Sequence, residues 1–256
     1  MSNSHKDGGH DFTSSGADKK GKTEIIPAVM ASSYEDLTFK VAAMNGIAKL
    51  LQIDAMDGKF VENKSWPYIK SEDRDFIKII KQEEGLPAWQ DFDFEIDLMI
   101  RDVENEASKW IAAGASRLVI HYKSEPEEII KRTLRDSKEK GVEVVVDFEL
   151  DMEIEEIIKI LHNFKKEEIE IDGVQVMGID RIGFQGEKFD HKVLAYVKEL
   201  HKEFPDLIIS VDGGVKPEYA KPLADAGVHR LVVGSAIFED DSPRDAYEHF
   251  RSVLDC

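Results

Sequence analysis

Gln52-Ile53-Asp54-Ala55-Met56-Asp57-Gly58 follows a short apolar run and sets two carboxylates, Asp54 and Asp57, where that run gives way to a polar loop. Strand periodicity puts Gln52 and Asp54 on one face and Ile53 on the other. A second acidic strand end, Val211-Asp212-Gly213-Gly214, comes far downstream after Leu207-Ile208-Ile209. The expectation is that Asp54 and Asp212 face each other across one pocket.

Outward from this stretch one pattern recurs: a short apolar run, a capping residue, an amphipathic segment, often a glycine, then the next run. The runs are 25–30, 50–54, 92–99, 117–121, 142–147, 173–177, 207–211 and 230–233. Between them, Ser33 can cap a helix with Leu37, Val41 and Met44 on one face and Gly46 as its C′ residue. Val103, Ala107, Trp110 and Ile111 form a helical stripe closed by Gly114, which makes Trp110 a core residue. Helices are also predicted over 72–81, 126–140, 154–161, 191–203 and 217–226, and Ser242-Pro243 supplies a cap and an N1 proline for the last. Eight strand–helix units with strands apolar on both faces imply parallel pairing. The natural closure is a (β/α)8 TIM barrel, a single domain over 23–256. An open doubly wound sheet is the competing closure, but no G-x-G-x-x-G turn follows the first run. Residues 1–22 carry almost nothing apolar and read as a disordered N-terminal arm.

Composition narrows the function. With 42% hydrophobic residues in 256, the chain can bury a large core, and no apolar run approaches the ~20 residues of a membrane span. A net charge of −18 argues against nucleic acid. It does not exclude a small phosphorylated ligand held by backbone N–H groups. The one cysteine, Cys256, permits no internal disulfide. These features suit the cytoplasm, with no nucleic-acid or membrane partner; association into a homo-oligomer is left open.

In such a barrel, chemistry gathers at the C-terminal strand ends. The polar residues expected there are Gln52, Asp54, Asp97, His121, Asp147 and Asp212. Burying them costs free energy unless something polar meets them. His121 can reach the pocket or simply be a satisfied strand-end histidine. Glycine turns at Gly213-Gly214 and at Gly234-Ser235, after the seventh and eighth runs, suit a phosphate. The loop Gly183-Phe184-Gln185-Gly186 can fold over a ligand as a lid.

Ile26-Pro27-Ala28-Val29-Met30, Ile53 to Val61, Asp97-Leu98-Met99-Ile100, Val211 to Pro217 and Val233 to Phe238, taken together, resemble ribulose-phosphate 3-epimerases. The resemblance runs from about Thr23 to the last helix. It implies a ribulose-phosphate-binding TIM barrel that inverts C3 of a ketopentose 5-phosphate through an enediolate, with D-ribulose 5-phosphate and D-xylulose 5-phosphate as the two epimers. It assigns Asp54 and Asp212 as the acid/base pair. Gly213, Gly214, Gly234 and Ser235 fall at phosphate positions, and Gly183, Phe184 and Gly186 in the mobile loop. A divalent metal would be held by Gln52, Asp54, Asp97 and Asp212.

Several positions depart from the family pattern. Gln52 and Asp97 stand where it has histidine ligands, Ala28 replaces a serine, and Arg181-Ile182 replaces Asn-Pro. The 62–90 loop is longer. An all-oxygen set favours magnesium or manganese over zinc or iron. The alternative is a non-catalytic or repurposed phosphosugar-binding barrel with an altered metal site. A related decarboxylating or condensing barrel would need Asp-x-Lys-x-x-Asp, but Asp54 is followed by Ala55-Met56-Asp57. Lys123, the nearest lysine for Schiff-base chemistry, is expected in solvent. Trp66 and Trp89, flanking the divergent loop, are read either as a cover for the mouth or as a contact between subunits.

Overall fold

The computed structural model describes residues 22–255. The expected arm over residues 1–22 therefore lies outside the described residues except for Lys22, as does Cys256. Eight strands close into a parallel barrel in sequence order. They are β1 (Glu24–Val29), β2 (Leu50–Met56), β3 (Asp93–Met99), β4 (Arg117–His121), β5 (Glu143–Phe148), β6 (Gly173–Met177), β7 (Ile209–Asp212) and β8 (Arg230–Val233). The helices are α1 (Tyr34–Ala43), α2 (Arg74–Ile80), α3 (Val103–Ala112), α4 (Glu127–Glu139), α5 (Ile154–Lys166), α6 (Lys192–Glu203), α7 (Pro217–Ala226), α8 (Ser235–Phe238) and α9 (Pro243–Leu254).

Alternation along each strand builds two separate interiors. Outward residues such as Val29, Ile53, Ile96, Leu118, Val144, Val174 and Leu231 pack against the helices in one continuous apolar cluster. Inward residues are few and small where they are apolar: Ile26, Ala28, Leu50 and Val232 form a minor cluster. Many of the remaining inward positions are polar, with Met99 and Met177 among the apolar exceptions. At the N-terminal end, Arg117 bridges Glu95 at 2.9 Å and Glu143 at 2.6 Å, closing that end with paired charge. At the C-terminal end the inward side chains include Asp54, Asp97, Asp147 and Asp212, and no arginine or lysine among the described residues pairs with them.

Caps follow the sequence closely. Ser33 accepts from Asp36 N–H at the start of α1, and Ser242 does so from Asp245 N–H at α9. The C-cap of α1 is Met44, so Gly46 lies one residue beyond the C′ position expected of it. The fifth helix runs to Lys166, five residues past the expected stop, because Phe164 continues its buried stripe. The short α8 after β8 was not expected: four residues are too few to show a period.

Trp66 corrects the sequence reading. It is buried, with its ring 5.6 Å from those of Tyr34 and Phe76 and its Nε1–H donating to Asp73 at 3.1 Å. The divergent 62–90 loop thus carries core. Trp89 is exposed just before β3, at the end of the barrel away from the strand C-termini, so it does not cover the mouth. Trp110 is fully buried, 4.6 Å from Phe76, and donates to Tyr68 Oη at 2.9 Å. Trp110→Ala should cost about 3–5 kcal/mol through the cavity it opens. A urea-unfolding loss under about 1 kcal/mol would contradict this packing.

Candidate active site

Register brings the inward polar residues to one level. Asp54 on β2 pairs with Asp97 on β3, His121 on β4 with Asp147 on β5, and Asp147 with Gln175 on β6. Asp212 ends β7 opposite Met177. Asp54 and Asp212 do face one centre: the Gln52 Nε2 amide donates to Asp54 Oδ1 and Asp212 Oδ2, each at 2.9 Å. Asp54, Asp97 and Asp212 offer carboxylate oxygens that all lie within 4.8 Å of one another. Asp57, by contrast, is a loop organiser. It accepts from the backbone N–H groups of Lys59, Phe60 and Arg101 and stands outside this cluster.

His121 is fully buried and takes no part in the cavity lining. Its Nε2 is hydrogen-bonded to Asp97 Oδ1 at 2.8 Å and its Nδ1 makes a 3.0 Å ion-pair contact with Asp147 Oδ1 without hydrogen-bond alignment, so His121 is a paired strand-end histidine that does not reach the pocket. Lys123 is outside the barrel, paired with Glu149 and Asp151.

Burial dominates the electrostatics. Desolvation, then the neighbouring Asp97 charge, pushes Asp54 up to about 7, with the Gln52 hydrogen bond opposing. Desolvation followed by the charges of Asp54 and Asp97 raises Asp212 well above the carboxylate range. Asp97 and Asp147 are also raised by desolvation, with His121 pulling the other way. For His121, desolvation favours the neutral ring, but Asp147 and Asp97 outweigh it and hold the imidazole protonated well above its ordinary range. Four buried carboxylates around one imidazolium leave an excess of negative charge that protons or a cation must meet.

The residues fit a hard divalent ion. Three carboxylates converge, and Asp97 Oδ2 is buried with no hydrogen-bond partner among the described residues. An oxygen-only set suits magnesium- or manganese-like ions. Gln52 is placed differently from the ligand role expected of it. Its nitrogen faces Asp54 and Asp212, and its Oε1 is buried without a partner among the described residues. Only with the carboxamide turned over would Oε1 join the oxygens.

The cavity above this cluster is lined by Gly183, Phe184, Gly186, Gly213, Gly214, Gly234 and Ser235, so every expected phosphate and lid position lies on its wall. Gly214 has φ +66°, and a Cβ there would stand 2.9 Å from the Phe189 backbone. Gly178 is equally confined: a Cβ would meet the Gly213 carbonyl at 2.4 Å. Two close backbone approaches thus hold the β6 and β7 loops together. The 183–186 loop is tied to the β2–α2 loop by Asn63 Nδ2, which donates to the Gly183 carbonyl at 2.9 Å. Arg181 stacks 4.1 Å over Phe184.

Sequence reasoning missed the apolar part of the wall. Met30, Met99 and Met177 line the cavity, with Ile179 and Val215. Met99 and Met177 could have been found by counting two residues on from Asp97 and Gln175.

Comparison with known proteins agrees with this arrangement. Ribulose-phosphate 3-epimerase of Bacillus subtilis (strain 168) is 28% identical over 235 residues, covering 89% of this chain and 98% of that one. The Schizosaccharomyces pombe enzyme of the same name is 27% identical over 236 residues, covering 91% and 94%. Among solved structures, 3-hexulose-6-phosphate synthase from Salmonella typhimurium superimposes with a TM-score of 0.63 at 21% identity, covering 91% of this chain and 98% of that one, a likeness of fold. With the closed barrel, the facing aspartates and the glycine-walled cavity in place, the family model described as ribulose-phosphate 3 epimerase matches residues 24–238, and the chain belongs to that family.

Proposed function

We propose that the protein inverts C3 of a ketopentose 5-phosphate, interconverting D-ribulose 5-phosphate and D-xylulose 5-phosphate. The observation that supports this most is the shared Gln52 amide. It draws together two carboxylates from strands three steps apart round the barrel, so that both open on one cavity. A sugar lying across that cavity has one carboxylate on each side of its C3.

The carboxylate that is ionised removes the C3 proton, and the one that is protonated returns a proton to the opposite face, which inverts the centre. For the reverse direction the two exchange roles. Burial and mutual repulsion raise both carboxyls, Asp54 to about 7, which favours a proton held within the pair at neutral pH, the state this chemistry needs. Backbone N–H groups around Gly213, Gly214, Gly234 and Ser235 would hold the phosphate, and the 183–186 loop would exclude water. Asp54, Asp97 and Asp212 would hold a divalent metal, magnesium or manganese before zinc or iron. When bound, such an ion supplies positive charge where oxygen becomes negative as C3 loses its proton. The setting we infer is the cytoplasm; no helix among the described residues is long and apolar enough to cross a membrane.

Purified protein supplied with manganese should convert D-ribulose 5-phosphate to D-xylulose 5-phosphate, read by a coupled assay. Absence of conversion with manganese, magnesium and zinc alike would leave a phosphosugar-binding barrel instead.

A further inference from the structure

Two buried polar side chains, His121 and Asp147, have no part in the proposed chemistry, but they adjoin Asp97, which does. Asp97, His121 and Asp147 form a chain across three consecutive strands, each at most 1% exposed. The imidazole meets a carboxylate at each nitrogen: Nε2 is hydrogen-bonded to Asp97 Oδ1 at 2.8 Å, and Nδ1 makes a 3.0 Å ion-pair contact with Asp147 Oδ1 that lacks hydrogen-bond alignment. Gln175 is next to Asp147 in register. The chain is sealed from above: the Phe60 ring lies 5.4 Å from the imidazole, and Arg101 covers Phe60 at 5.3 Å. Arg101 also donates to the Ser124 carbonyl, and Ser124 Oγ donates to the His121 carbonyl at 2.7 Å. Ring, backbone and cover are therefore all fixed.

Asp97 has two oxygens with different surroundings. Oδ1 is on His121; Oδ2 is buried without a hydrogen-bond partner among the described residues, and Asp97 belongs to the three-carboxylate cluster. A carboxylate turns readily about its last torsion, which is broad and two-fold. Anchoring one oxygen removes that freedom and presents the other. Burying three residues in such a chain has no packing advantage over apolar side chains. We propose that Asp147, acting through His121, is a positioning residue that holds Asp97 in the orientation needed to bind a divalent cation. This rests on the metal-binding reading of the cluster.

Calorimetric titration of manganese into the metal-stripped full-length protein tests it. Wild type should bind. Asp147→Ala, which leaves His121 Nδ1 without its acceptor, should bind about 10- to 100-fold more weakly, whereas Asp147→Asn, which keeps an oxygen there, should stay within roughly threefold of wild type. A role in packing alone would lower the melting temperature of the metal-stripped variants without separating their manganese affinities. Wild-type affinity in Asp147→Ala, or equal losses in both variants, would overturn the positioning role and leave the metal site standing. Failure of wild type itself to bind would overturn the metal reading and this inference with it. Should Asp147→Ala not fold, His121→Asn breaks the same link: a loss of the same size is expected, and unchanged affinity overturns the role.

Discussion

Asp212→Asn and Asp54→Asn should each lower epimerisation by roughly 10²- to 10⁴-fold, the usual contribution of a positioned acid or base. Asparagine keeps the shape of aspartate and can still meet Gln52, so the cavity should survive. What it cannot do is take or give a proton at C3. The folded state gives the prediction a second handle. Asp212 lies beside Asp54 and Asp97, and its ionisation in the metal-free protein is opposed by burial and by both neighbours. Removing that charge should leave the metal-free protein at least as stable at pH 8 as wild type. Lost turnover with unchanged or raised melting temperature is the expected pair of results. A variant that is inactive because it is unfolded, or one with near-wild-type turnover, would contradict the assignment.

The second large effect is on stability. A carboxyl whose folded-state pKa lies above its unfolded value binds its proton more tightly in the folded chain. Its contribution is complete below the unfolded value and is lost as pH rises through the folded one. For Asp54 that window runs from 3.8 to about 7, and the Asp212 carboxyl, raised well above its ordinary value, acts in the same direction. His121, also raised, keeps its proton through neutral pH. Metal-stripped protein should therefore melt at lower temperature at pH 8 than at pH 6, and Asp212→Asn should flatten that slope. A divalent ion reverses the effect by meeting the ionised carboxylates. At a concentration about 100-fold over its Kd it adds about 2.7 kcal/mol, or roughly 5–10 °C in a domain of this size. The gain should be larger at pH 8 than at pH 6. A slope unchanged by Asp212→Asn and a melting temperature unmoved by manganese would contradict a cation-binding cluster.

Much of this was legible in the chain because a barrel repeats two simple periods. The inward alternation that separates Gln52 and Asp54 from Ile53 needs no knowledge of other strands, and it placed both residues correctly. Gly213-Gly214 and Gly234-Ser235 were legible for the same reason: each follows an apolar run directly. What could not be read is which inward groups meet across the barrel. His121 lies between Asp97 and Asp147 because neighbouring strands are offset in register, and register is not encoded in any one strand. Nor could the direction of the Gln52 carboxamide be read, since either end of it suits a polar site. Trp66 was misjudged because its burial depends on Tyr34, Phe76 and Trp110, contributed by three separate helices.

The most direct measurement of the central claim is hydrogen exchange at C3. Manganese-loaded wild type incubated with D-ribulose 5-phosphate in D2O should place deuterium at C3 of both epimers, followed by NMR, whereas Asp54→Asn and Asp212→Asn should each form no deuterated D-xylulose 5-phosphate on the same timescale. Wild type that leaves C3 protonated, or either variant that forms deuterated D-xylulose 5-phosphate as fast as wild type, would contradict a pair of aspartates working on that carbon.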